Sequence, residues 1–355
     1  MKGIVYVVHP NFDLSDDKLQ FLKEVNPEIH LSIYHNLRAI TATDPLLKEG
    51  FYDEHQDWFL YCEDDPTEKV RDKKYQNYLA DISNEEYRDF WITRTREALE
   101  DKPEVIDTIF IDVASARLQL RQFYCKPEKY TDEWWEENIG IFLREIKDAF
   151  PDKTIVANSL KPAYSDSKRS LSGNFVGLQY GDYVDGFCAE TWTHVWGKYR
   201  GETFWRGLLD SYMQKLKQGK WIGVAQHPEK FEDKIDQRRM FGFASYLLIK
   251  TKDFGFTELW GIPGEFILKD QIFYIPLRGP KEELKDKVDD YLHNGVYLRE
   301  YENGLVLVNP SETQTKTYTL RKEMNLVILN EETIKYEATR AVTLPPVSGA
   351  ILISK

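Results

Sequence analysis

Short runs of consecutive apolar, β-branched and aromatic residues recur along the chain, separated by longer stretches whose apolar positions fall three and four apart. The runs are Ile4–Val8, Leu31–His35, Trp58–Cys62, Thr108–Val113, Thr154–Ala157, Val184–Ala189, Trp221–Ala225 and Leu259–Ile262. Being continuously apolar rather than alternating, they predict parallel strands covered on both faces. Between them, Ser83-Asn84-Glu85-Glu86 has the spacing of a capping box and opens a segment with Tyr87, Trp91, Arg94 and Ala98 along one side. After Thr131, the residues Trp135, Ile139, Phe142 and Ile146 mark a second helix, which Pro151 stops. Similar stripes run through Trp205, Leu209, Tyr212 and Leu216, and from Ile235 to Leu248. Eight strand–helix units predict an α/β fold, a (β/α)8 TIM barrel over residues 1–290. A doubly wound open sheet is the competitor, and the lack of G-x-G-x-x-G after the first run weighs against it.

Beyond about residue 290 the texture changes. Tyr297–Tyr301, Gly304–Asn309, Thr315–Leu320, Leu326–Leu329, Ala341–Leu344 and Ala350–Ser354 are short β runs broken by Asn303-Gly304, Asn309-Pro310 and Pro345-Pro346. They predict a small C-terminal antiparallel β-sandwich domain over residues 291–355.

Composition narrows the class. With 42% hydrophobic and 30% charged residues the chain can bury a substantial core, which excludes wholesale disorder. A net charge of −12 repels phosphate backbones and anionic headgroups, so neither nucleic acid nor a membrane is expected as partner. The one early apolar run stops at His9-Pro10, too short for a signal or a span, and the three cysteines, Cys62, Cys125 and Cys188, form no C-x-x-C pair. They read as reduced thiols in a cytoplasmic protein.

In a barrel the reacting groups sit at the C-terminal ends of strands. The fourth run ends in Asp112 and the sixth is followed by Glu190. A carboxylate there costs free energy unless it is hydrogen-bonded or used chemically. Two such acids suit glycoside hydrolysis, in which one carboxylate attacks or stabilises the anomeric carbon and a carboxylic acid protonates the leaving oxygen. The alternative has Asp112 capping the following loop and Glu190 paired with an arginine.

A resemblance bears on that choice. The segments Leu22–Ile29 before Tyr34, Trp58–Asp64, Asp81–Trp91, Ile109-Phe110-Ile111-Asp112, Val156-Ala157-Asn158-Ser159, Val184–Glu190 and Gly304–Ser311 follow one another like the motifs of glycoside-hydrolase TIM barrels. In order and spacing they resemble the glycosyl-hydrolase-like family fifteen, with more distant similarity to dextranase and α-galactosidase barrels. Related barrels carry glycine where this chain has Thr108. The resemblance implies Asp112 as nucleophile, Glu190 as general acid/base, a retaining mechanism and no cofactor.

Other polar and aromatic residues near run ends are candidate sugar contacts: His35, Glu63, Asp64, Asn158, Trp260 within the eighth run, and Glu265 as a reserve acid. Tyr124, Tyr164, Trp192 and His194 lie on loops, where aromatic faces can stack on sugar rings. The loop after the fourth run carries Arg117, Arg121, Lys126 and Lys129 against Glu128, and the next adds Lys161, Lys168 and Arg169 against Asp166. Such rims would favour an anionic glycan. Two rivals remain: a glycan-binding barrel without catalysis, and a metal-dependent hydrolase, although no H-x-H, H-x-x-x-H or H-E-x-x-H is present and no metal site is expected.

Overall fold

The computed structural model describes residues 5–8, 15–101, 104–158, 161–164, 171–258, 271–330 and 333–355, with backbone alone for 5–8, 161–164 and 171–176. The chain packs as two compact units, Met1–Leu160 with Val176–Cys188, and Lys161–Phe175 with Ala189–Lys355.

In the first unit, strands β1 (Val5–Val8), β2 (His30–Asn36), β3 (Thr108–Asp112), β4 (Thr154–Asn158) and β5 (Gly186–Ala189) lie side by side in parallel. Helices α1 (Asp16–Val25), α2 (Glu85–Glu100) and α3 (Asp132–Ala149) connect them. The cap of α2 is Asn84, whose side chain accepts from the Tyr87 N–H, while Ser83 binds Asp81; the capping signal is real but sits one residue later than its spacing implied. Thr131 caps α3, and Trp135, Ile139, Phe142 and Ile146 are all buried on its inner side.

The third apolar run does not become a sheet strand. The register of β2 runs directly onto β3, Ser32 opposite Thr108 through Asn36 opposite Asp112. Trp58–Cys62 instead belongs to an excursion after β2, a 3-10 turn followed by isolated antiparallel bridges of Phe59 to Ala80 and Tyr61 to Lys69. Its apolar character comes from an aromatic cluster in which Trp58 packs on His55, Phe90 and Tyr87. Burial alone does not distinguish such a cluster from a buried strand.

The reading of all cysteines as reduced thiols is also overturned. Cys62 and Cys125 form a disulfide across 63 residues, next to the bridge of Cys62 to Pro127, and Cys188 takes no part in a disulfide. Folding juxtaposes two loops that the sequence keeps far apart, so no local spacing announced the pair. A disulfide removes the ground for placing the chain in a reducing compartment. Closing a loop of this length contributes about 2–4 kcal/mol. Reduction by a phosphine is therefore expected to lower the melting temperature by about 4–10 °C; identical melting of oxidised and reduced protein would contradict the bridge.

The second unit contains α4 (Glu202–Lys217), β6 (Trp221–Gln226), α5 (Ile235–Leu248) and β7 (Phe254–Glu258), with β6 and β7 parallel from Ile222 opposite Phe254 to Gln226 opposite Glu258. The expected strand at Leu259–Ile262 lies outside the described residues, and the strand observed before it is Phe254–Glu258. No described helix is long and apolar enough to cross a membrane.

The C-terminal strands are β8 (Leu292–His293), β9 (Val296–Tyr301), β10 (Gly304–Asn309), β11 (Lys316–Asn330), β12 (Thr333–Leu344) and β13 (Ser348–Ser354). They form one continuous antiparallel sheet in the order β8-β9-β10-β13-β11-β12. A register shift between Thr319 and Met324 bends the long β11 and lets one sheet wrap its own core, where Leu298, Leu307, Leu320, Met324, Val342 and Leu352 meet. The outer side of β9 packs on α5: Tyr301 donates to the Leu247 carbonyl at 2.6 Å and Arg299 to that of Leu248 at 3.1 Å, satisfying carbonyls at the helix end.

Candidate active site

Asp112 is the last residue of β3, and its side chain shares a face with Tyr34 on β2 and Asn158 on β4 because the three strands are in register. Its Oδ1 accepts from the Asn158 amide at 2.8 Å and from the Val113 N–H at 2.7 Å, while Oδ2 accepts from the Tyr34 hydroxyl. A carboxylate offers about four lone-pair positions. Three are taken by donors that fix the plane of the group, and the fourth, on Oδ2, meets no donor among the described residues. The following residue, Val113, has φ of 50°, a left-handed conformation that a β-branched side chain seldom adopts. Strain of that kind costs about 1–3 kcal/mol and gathers where function needs an unusual chain direction.

Arg38 adds a buried charge to this face. Asn36 ends β2 opposite Asp112, and its side chain accepts from the N–H of Arg38 and of Ala39, turning the chain sharply at the strand end. Arg38 is 9% exposed, and its guanidinium lies over the Phe123 ring and has Nη1 without a hydrogen-bond partner among the described residues. Burial pushes its pKa down to about 10, and the carboxylates of Asp112 and Asp72 oppose the shift, so it stays cationic at neutral pH.

His35 takes the other face of β2. It is stacked on Trp91 at 4.2 Å, its Nδ1 lies 2.6 Å from the Thr95 hydroxyl, and burial lowers its pKa to about 3, which leaves it neutral. The cavity on that side holds about 80 Å³, well under the roughly 300–1,000 Å³ of ligand pockets. Asn158 is spent on Asp112. Glu63 pairs with Lys126 at 2.8 Å, Asp64 is exposed beside it, and the Tyr124 hydroxyl accepts from Gln76 at 2.9 Å. Three of the cations expected to line the rim are neutralised: Lys126 by Glu63, Lys129 by Asp81, and Arg117 by Glu136.

In the second unit, Glu190 is exposed, directly after β5. Trp192 is fully buried, donating to the Gly242 carbonyl at 2.7 Å and stacked on Tyr212, and so is a core residue. His194 is buried against Phe231 and Phe241, and burial holds it near a pKa of about 3. The Tyr164 side chain, Trp260, Glu265, Lys168 and Arg169 lie outside the described residues.

One cluster had no forerunner in the sequence. Glu258 ends β7, 4% exposed, and binds Arg239 at 2.8 Å and the Gln226 amide. Burial raises its pKa while Arg239 pulls it back. Gly242 makes the room, since a Cβ there would fall 1.8 Å from Gln226 Oε1. Placing the last run at Leu259–Ile262 hid Glu258 as a strand end; the weaker pattern Phe254-Gly255-Phe256-Thr257 was the available signal.

A profile of hypothetical glycosyl hydrolase family 15 matches residues 23–305. No curated protein sequence matches the chain. Among solved structures, an enzyme of family GH13_31 is similar with a TM-score of 0.50 and 12% identity, covering 100% of this chain and 92% of that one. The glycoside hydrolase domain of PelA from Pseudomonas aeruginosa aligns with a TM-score of 0.46 and 12% identity over 72% of this chain and 93% of its own. A maltogenic α-amylase, AmyB from Thermotoga neapolitana, aligns at 0.44 and 13% over 95% and 81%. The α/β fold with its C-terminal antiparallel sheet is thus shared with a glycoside hydrolase, and by the profile match this chain belongs to hypothetical glycosyl hydrolase family 15.

Proposed function

We propose that the chain is a retaining glycoside hydrolase whose residues 1–290 form a catalytic barrel of the TIM type and whose residues 291–355 are an appended β module. Asp112 is the nucleophile: its Oδ2 lone pair bonds to the anomeric carbon as the bond to the leaving oxygen breaks, and Glu190 gives that oxygen a proton. Glu190 then takes a proton from water, whose oxygen bonds to the anomeric carbon on the face the leaving oxygen vacated as the bond to Asp112 breaks, so that the configuration is retained. The single observation that supports this reading most is the carboxylate of Asp112, oriented by three donors with one lone pair that meets no donor among the described residues, at a strand end followed by a strained residue. A residue that only capped its loop would need the Val113 contact and no more.

Membership of a glycosyl hydrolase family supports a carbohydrate substrate. Incubation with a broad oligosaccharide panel, followed by NMR of the first-formed anomer, tests the proposal. Retention at the cleaved centre is expected; inversion would replace the nucleophile role by a base, and no cleavage across the panel would favour a binding barrel.

A further inference from the structure

Arg38 is a buried cation without a hydrogen-bonded counter-charge among the described residues. Its backbone is pinned on both sides, the N–H donating to Asn36 Oδ1 at 3.2 Å and the carbonyl accepting from the Ala80 N–H at 2.9 Å. One residue earlier, the Leu37 N–H donates to the Asp112 carbonyl at 3.1 Å, so Arg38 starts from the same end of the sheet as Asp112. The guanidinium carbon stands 5.5 Å from the centroid of the Phe123 ring, and Phe123 is held in turn by its bridge to Asp72. The cation is therefore in place before any ligand arrives, which lowers the ordering cost of binding.

The groups whose charge it feels are already engaged elsewhere. Asp112 and Asp72 act on the guanidinium through space, without a hydrogen bond to it. The Asp72 carboxylate accepts from the N–H groups of Lys74, Tyr75 and Asn77 at 3.0, 2.6 and 2.9 Å, which ties it to its own loop. Asp112 is held by Asn158, Val113 and Tyr34, while the Tyr130 hydroxyl donates to Asp132 and accepts from the Leu118 N–H at 3.1 Å. Nη1 is thus removed from water with no acceptor among the described residues. Unmet charged donors in an interior are costly, and an apolar side chain would fill the same space without that cost, so the cation points to a group supplied from outside the protein.

A guanidinium only donates, in a planar fork that matches the oxygens of a carboxylate or a sulfate. A hydroxyl of a neutral sugar accepts a hydrogen bond but brings no charge. The need for charge grows during the reaction proposed above, because Asp112 becomes a neutral ester when it bonds to the anomeric carbon and Arg38 then loses the stronger of its two opposing charges. We infer that Arg38 binds an anionic substituent, a uronate carboxylate or a sulfate ester, on the sugar unit that Asp112 attacks, which makes acidic glycans the substrate class. This rests on the Asp112 reading for the choice of a sugar. Arg117, Lys126 and Lys129, each paired with a protein carboxylate, take no part in it.

Isothermal titration calorimetry of the full chain carrying Asp112→Asn tests this by binding alone, since that variant holds a glycan uncleaved and, like the ester, is uncharged at position 112. The probes are oligosaccharides of galacturonate, alginate, hyaluronan and κ-carrageenan, each against its neutral counterpart, methyl-esterified for the first three and desulfated for the last. At least one acidic probe is expected to bind about thirtyfold or more tighter than its counterpart, the uronates and the carrageenan separating a carboxylate ligand from a sulfate. Adding Arg38→Gln should cut that preference to about threefold or less, and Arg38→Lys, which keeps the charge but not the fork, should leave an intermediate one. No binding of any acidic probe, equal binding of the neutral counterparts, or a preference unchanged in Arg38→Gln would each overturn the inference. Should Arg38→Gln fail to fold, an unchanged preference in Arg38→Lys overturns it instead. Cleavage of neutral glycans alone, with retention, would sink this inference and leave the nucleophile standing, whereas inversion would remove the nucleophile and leave the binding preference intact, so the two fail separately.

Discussion

Asp112→Asn is expected to lower kcat by about a thousandfold or more on whichever glycan the enzyme cleaves, with little change in melting temperature. The substitution keeps shape and volume while removing the charge that attacks the anomeric carbon. The hydrogen bonds around the group tolerate an amide: Asn158 and the Val113 N–H can still donate to a carbonyl oxygen at the Oδ1 position, and the Tyr34 hydroxyl can rotate to accept from the new NH2. A fold-preserving loss of turnover is thus the signature of a chemical role. If the group only capped the loop, the same variant would keep its rate within about tenfold while shifting stability by about 1 kcal/mol.

The second large effect concerns stability. Arg239→Met should destabilise the protein by about 3–5 kcal/mol at pH 7, because it leaves the buried Glu258 carboxylate without its cation. Burial already holds Glu258 above its ordinary value of 4.5, and removing Arg239 takes away the charge that draws it down. In the variant the folded state then binds more protons than the unfolded chain from pH 4.5 up to that raised value. Stability therefore falls as pH rises through this window, and the deficit is smallest below pH 4.5 and full at neutral pH. Urea unfolding of both proteins at pH 4 and pH 7 measures it. A deficit that is equal at the two pH values would show that lost packing, not the stranded charge, is responsible. Adding Glu258→Gln to Arg239→Met should recover much of the loss for the same reason.

Which parts of the molecule were legible from sequence follows from the range of the interactions involved. Strands β2, β3, β4 and β6 and helices α3, α4 and α5 were evident, because burial on both strand faces and a single helix stripe leave local periodicities. Asp112 stood out as the polar terminator of an apolar run. Its partners did not: Tyr34 and His35 are adjacent, both plausible, and only the register with β3 puts Tyr34 beside Asp112 and sends His35 to Trp91. Continuous apolar strands carry no alternation from which to read a face. Trp192 and His194 looked like loop aromatics, yet their burial is set by Tyr212, Phe231 and Phe241, residues distant in sequence. Trp58–Cys62 failed for the converse reason, since an aromatic cluster in an excursion has the composition of a strand. The Cys62–Cys125 bond and the Arg38 guanidinium near Asp112 are products of chain reversal, which leaves no local trace.

The most direct test of the central assignment is mass spectrometry of the enzyme after reaction with a 2-deoxy-2-fluoro glycosyl fluoride of the sugar identified by the oligosaccharide panel. In a retaining enzyme this reagent allows the first displacement and slows the second, so the covalent intermediate accumulates. A single added glycosyl mass is expected on the peptide carrying Asp112, absent in Asp112→Asn. A glycosyl label on another carboxylate, or steady turnover of the natural substrate with inversion and no label at all, would contradict it.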